Sequence, residues 1–117
     1  MQSSTSHSFV VLSPEAADAK AGSDVISDFF DELTKKITTF KDKSLILDFS
    51  ELREVDLNKI LLFSQLSGKH KRNNKSFVMV VRNLDYDVIP VELVVVPTLR
   101  EAKDMIEIED IERDLGI

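Results

Sequence analysis

The chain has no cysteine, only three glycines and only two histidines, and each shortage closes off a class of chemistry. Without cysteine there is no disulfide framework, no thiolate nucleophile and no Cys-ligated metal, so the chain suits a reducing compartment. Gly22, Gly68 and Gly116 stand far apart, which excludes a glycine-rich loop cradling phosphate. His7 lies in a polar start and His70 in a basic stretch. Two such histidines do not supply the several His and Asp ligands of a zinc-dependent nuclease, nor a Ser-His nucleophile pair. The longest uncharged apolar stretches, such as Ile60-Leu61-Leu62-Phe63, fall far short of the roughly 20 residues that span a bilayer, so no membrane role is expected. Residues 1–8 lack the cationic start and apolar run of a signal peptide. They read as a disordered polar terminus ahead of one domain, 9–117, in a protein expected to stay in the cytoplasm.

Positive charge is also scarce. Fifteen Lys and Arg against 21 Asp and Glu give a net charge of −6, which argues against a general nucleic-acid binder, because such affinity comes mainly from neutralising phosphates. The cations that do cluster, Lys69, Lys71, Arg72 and Lys75, read as a solvated helix end. The acid-rich run over 101–114 reads as a solvated helix face.

What is present is a 117-residue chain with 43% hydrophobic and 31% charged residues, enough for one core and too little for two. Phe9-Val10-Val11-Leu12 is a strand that stops at Ser13-Pro14, since proline cannot continue a ladder. From Ser23, apolar residues recur every three or four positions through Val25, Ile26, Phe29, Phe30, Leu33, Ile37 and Phe40. That spacing predicts an amphipathic helix of about four to five turns, capped by Ser23 or Asp24. Leu45-Ile46-Leu47 with Phe49, and Phe77-Val78-Met79-Val80-Val81, are apolar runs expected of strands buried on both faces. Between them Asp56 opens a second helix, with Ile60, Leu61, Phe63 and Leu66 inward. In 82–90, Leu84, Tyr86, Val88 and Ile89 are expected to hold a surface connection to the core. Leu93-Val94-Val95-Val96 is a last strand, and Thr98 with Glu101 forms a capping box for a final helix that Gly116 stops. The fold class is α/β, with about four strands in a mostly parallel or mixed sheet and three helices packed against it.

The stretch 45–62 resembles the STAS domain of bacterial anti-sigma-factor antagonists and of sulfate-transporter tails. That family has an apolar strand ending in Asp, a short Ser-containing loop, a second Asp eight positions later and then Ser-Ser-Gly-Leu opening a helix. Asp48, Ser50 and Asp56 fall at those places. Val95-Val96-Pro97-Thr98-Leu99-Arg100-Glu101-Ala102 looks like the family's closing strand and helix, and the likeness spans roughly residues 9 to 112. It implies a STAS-like fold and a regulatory role through protein contact. In the antagonists a kinase phosphorylates the Ser just after the second Asp. Here that residue is Leu57, followed by Asn58 and Lys59, so the phosphorylation switch is not implied. The helix after the family's third strand is also shortened. The closing Pro-Thr-Leu stretch with its Ile-Glu-Arg-Asp-Leu-Gly tail is similar to that of small STAS-like bacterial proteins linked to ribonuclease Z.

The expected function is therefore a non-catalytic regulatory protein without cofactor or metal, binding a partner protein through Ser50, Glu51, Glu54, Asp56, Leu57, Asn58 and Lys59. The partner class is an anti-sigma-factor-like protein. The alternative is an accessory protein associated with an RNA-processing enzyme, linked to ribonuclease Z, with that enzyme as its partner or weak RNA contact through Lys69, Lys71, Arg72 and Lys75. A hydrolase reading would use Asp48, Glu51, Glu54 and Asp56 as acid, base or metal ligands, but carboxylates on a loop and helix cap are expected for solubility and capping alone. Leu52, Val55 and Leu57 are expected to form a small exposed apolar patch.

Overall fold

The computed structural model describes residues 1–6, 8–15 and 25–116. The elements run β1 (Gln2–Thr5), β2 (Phe9–Ser13), α1 (Val25–Lys36), a 3₁₀ turn (Ile37–Phe40), β3 (Ser44–Asp48), α2 (Leu57–Leu61), α3 (Ser64–Arg72), β4 (Phe77–Val80), a 3₁₀ turn (Tyr86–Val88), β5 (Val94–Val96) and α4 (Leu99–Asp114). The strands form one five-stranded mixed sheet in the order β1-β2-β3-β4-β5. β2, β3, β4 and β5 are parallel neighbours, with Leu12 opposite Leu47 and Asp48 opposite Val80. The chain is thus α/β, as its alternation of strand and helix patterns implies.

Parallel strands need both faces covered, and alternation of side chains assigns the cover. Leu45, Leu47, Phe49, Phe77, Met79 and Val81 share one face with Phe29 and Leu33 of α1, Ile60 of α2 and Leu66 of α3. Ile46, Val78 and Val80 share the other with Ala102 and Ile106 of α4. On the first face the phenylalanines interlock edge to face, Phe29 with Phe49 at 5.0 Å and Phe30 with Phe63 at 5.2 Å between ring centres. α4 is fixed at both ends. Thr98 Oγ1 accepts from the Glu101 N–H at 3.1 Å, and its hydroxyl donates to Glu101 Oε2 at 3.1 Å. Arg113 contacts Asp110 and donates to Ser76 Oγ at 3.1 Å. Gly116 stops the helix in a left-handed conformation, φ +73°, as a C-terminal glycine should.

Four expectations change. The polar start, read as disordered over 1–8, contains β1, because antiparallel pairing to β2 holds one edge of its backbone although all four side chains stay exposed. The sheet therefore has five strands and not four. The helix opened by Asp56 divides in two at Leu62-Phe63, where the Leu62 and Phe63 N–H groups bond to Lys59 and Ile60 carbonyls in the tighter i to i+3 pattern. The break coincides with the full burial of Phe63 among the other rings, while Leu62 is left 42% exposed. Val88 is exposed too, since the 3₁₀ turn points Leu84 and Ile89 toward the core and anchors through the Tyr86 hydroxyl, which donates to the Val81 carbonyl at 2.6 Å. The proposed caps Ser23 and Asp24 lie outside the described residues. Among those described, no helix is long and apolar enough to cross a membrane.

Phe29→Ala removes a ring buried at the junction of α1, β3 and the α2–α3 break, and it should cost about 3 to 5 kcal/mol in a urea unfolding experiment. A loss below about 1 kcal/mol would mean that the ring cluster is not packed as described.

Candidate functional site

The residues singled out in 50–59 form the connection from the carboxyl end of β3 to α2, and local hydrogen bonds shape it. Asp48 Oδ1 accepts from the Ser50 N–H at 3.0 Å, the Phe49 carbonyl accepts from Leu52 N–H at 3.0 Å, and the chain turns away from the sheet. Leu52 and Val55 fold back against the core. Asp56 adopts extended backbone and its Oδ1 accepts from the Asn58 N–H at 2.9 Å, so it is the N-cap of α2, with Leu57 the first helical residue.

This arrangement brings most of the expected surface together and reassigns part of it. Glu51, Glu54, Asp56 and Asn58 are exposed, and Ser50 is half-buried. Lys59 is only half-exposed and donates from Nζ to Ser27 Oγ at 2.9 Å, so its ammonium ties α2 to α1. The expected apolar patch is smaller than its sequence suggests. Leu52 and Val55 are core flanks, and Leu57 is itself half-buried at the helix start.

Beside this loop a cavity of about 200 Å³ opens at the carboxyl ends of β2 and β3, lined by Gln2, Ser13, Pro14, Glu15, Asp48, Phe49, Glu51 and Leu52. Such a position is where open α/β sheets meet ligands. The Ser13, Pro14 and Glu15 side of it was not legible in the sequence, because only the parallel register of β2 on β3 sets those residues beside Asp48. Among the described residues no three His, Cys, Asp or Glu side chains gather in the manner of a metal site.

The basic cluster at the end of α3 is partly spent on the fold. Lys71 donates to the Glu92 carbonyl at 2.8 Å, Lys75 is half-buried, and Lys69 and Arg72 remain exposed. Within it His70 is 2% exposed, a core position that the charged sequence around it conceals. Its Nε2 lies 2.5 Å from the Lys43 carbonyl oxygen, which can only accept, so the neutral ring carries its proton there. Burial pushes the His70 pKa below its ordinary value near 6.5, and the nearby Lys75 charge acts the same way, against the opposing pull of the Lys43 carbonyl.

No protein-family model matches the chain, and no curated protein matches it.

Because the folded pKa of His70 is depressed, the unfolded chain binds the proton more readily, and the contribution of His70 to stability is present above about pH 6.5 and lost as the pH falls through the lower folded value. The stability gap between wild type and His70→Gln should therefore be widest at neutral pH and narrow toward pH 5, as read from urea midpoints. A gap that stays constant or widens on acidification would contradict this.

Proposed function

We propose that the chain is a STAS-like, non-catalytic regulatory protein that binds a partner protein through the surface over 50–59 and lacks a phosphorylation switch there. The observation that carries this reading is the geometry around Leu57. A buried strand ends in Asp48, a turned loop follows, and Asp56 caps a helix whose first residue is Leu57. This is the strand-Asp-loop-Asp-helix order of the anti-sigma-factor antagonists, in which the first helical residue is the serine that receives phosphate. A leucine there accepts no phosphate, so binding through this surface is not gated by modification of that residue.

The rest of the surface suits protein contact. Glu51, Glu54, Asp56 and Asn58 are exposed and neighbour the half-buried Leu57 along the chain, a composition that suits an interface with an apolar centre. The mixed α/β sheet is compatible with a STAS-like domain, and the short 3₁₀ turn Tyr86–Val88 after β4 is in keeping with a shortened form of the helix that follows the family's third strand. The absence of cysteine suits the cytoplasm as its place of action. The alternative, contact with RNA beside a processing enzyme, draws on fewer free cations than the sequence suggests, because Lys71 is held by the Glu92 carbonyl.

Leu57→Asp tests the reading. An acid at a helix N-terminus is favourable by about 0.3 to 1 kcal/mol, which offsets part of the lost apolar contact, so the unfolding midpoint should move little. Quantitative affinity capture from the native cytoplasm with wild-type and Leu57→Asp baits should show at least one protein depleted about tenfold, roughly 1.4 kcal/mol of binding. If every captured protein is retained equally by a folded Leu57→Asp variant, the binding surface lies elsewhere. A salt-sensitive shift of tRNA by the wild-type chain would favour the RNA-linked alternative.

A further inference from the structure

α4 carries two apolar faces, and the fold uses one. Its inner face, Ala102 and Ile106, is buried against Ile46, Val78 and Val80. Ile108, Ile111 and Leu115 are 52%, 53% and 69% exposed. At 3.6 residues per turn, steps of three and four keep these three in one row along the helix, on the side away from Ala102 and Ile106. That is the spacing of a coiled-coil seam. A single exposed leucine is ordinary on a protein surface, but a row of three at seam spacing is not, and packing against the sheet gives no reason for it.

The residues flanking the row choose its occupant. Glu107, Glu112 and Asp114 occupy the positions that border such a seam, and all three are exposed. Of the helix's own cations, Arg100 and Lys103 precede the apolar row, and Arg113 is held by Asp110 and Ser76. Pairing two copies of α4 through this face, parallel or antiparallel, would set these carboxylates against one another across the seam, the like-charge arrangement that excludes a partner. We infer that the outer face of α4 docks an amphipathic helix of another protein, with apolar residues at seam spacing and Lys or Arg at the flanks. The mode is two helices side by side, with apolar contact giving affinity and complementary charge giving selection. It does not depend on the role assigned to Leu57.

The probes are three synthetic peptides about three heptads long: one with a Leu/Ile seam and Lys flanks, one with the same seam and Glu flanks, and a scrambled peptide with the charge of the first. Each is titrated against the full chain by fluorescence anisotropy at low and high salt. The Lys-flanked peptide should bind at least about tenfold more tightly than the other two and weaken with salt. Ile108→Ser/Ile111→Ser, at exposed positions, should keep its helical circular dichroism and lose about tenfold or more of that affinity. Glu107→Lys/Glu112→Lys, which keeps the apolar row, should shift the preference toward the Glu-flanked peptide. Equal binding of the scrambled peptide would reduce the effect to net charge and overturn the proposal, as would unchanged binding by the folded Ser variant. A wild-type dimer in sedimentation that the Ser variant abolishes would assign the face to a second copy and overturn it equally.

Discussion

The rest of the fold follows from the burial of β3 and β4 on both faces. Leu45, Ile46, Leu47, Phe77, Val78, Met79 and Val80 are all fully buried, and a strand pair with no polar side to turn to solvent requires helices above and below. The chain meets that requirement unevenly. Among the described residues, α1, α2 and α3 share one face with the phenylalanine cluster, whereas α4 is the helix that covers Ile46, Val78 and Val80 on the other. With a single described helix on that face, Phe9, Val11, Val94 and Val96 at its margins are only half-buried. α4 therefore needs firm ends, which the Thr98 cap and the Arg113 bridge to Ser76 supply. A lost N-cap alone costs about 1 kcal/mol.

A closed interior also decides where chemistry can be placed. Ser44 and Ser76, buried at the starts of β3 and β4, are both engaged: the Ser76 N–H donates to Ser44 Oγ at 2.9 Å, and Ser76 Oγ accepts from Arg113 at 3.1 Å. His70 is neutral and committed to the Lys43 carbonyl. The rims and outer helix faces carry the exposed acids, and a substitution there does not disturb the sheet.

Much of this order was legible because the signals were local and periodic. The apolar runs at 45–49 and 77–81 gave the central strands, the three-and-four spacing gave α1, and Thr98 with Glu101 marked the start of α4. The strand β1 was not legible, since Gln2, Ser3, Ser4 and Thr5 bury no side chain and owe their form to β2. Nor was the break between α2 and α3, which contains neither Gly nor Pro and arises from packing of Phe63. At the candidate site, the cap Asp56 and the turn at Asp48 followed from short-range chemistry. The engagement of Lys59 by Ser27 and the folding back of Leu52 and Val55 are long-range contacts, which sequence spacing does not encode.

The two surfaces argued here belong to different layers. The loop before α2 leads into the helices that cover one face of the sheet, and the apolar row of α4 is on the outside of the helix that covers the other. The sheet between them is fully packed, and a partner on one layer leaves the other exposed to solvent. Two ligands that share no contact residues bind additively unless a two-state element links their sites. Leu57 has no hydroxyl, so phosphorylation of that residue supplies no such element. Occupied as proposed, the two surfaces would make the chain a connector more than a switch, with one surface on each side of the sheet and occupancy set by partner concentration and not by modification at Leu57.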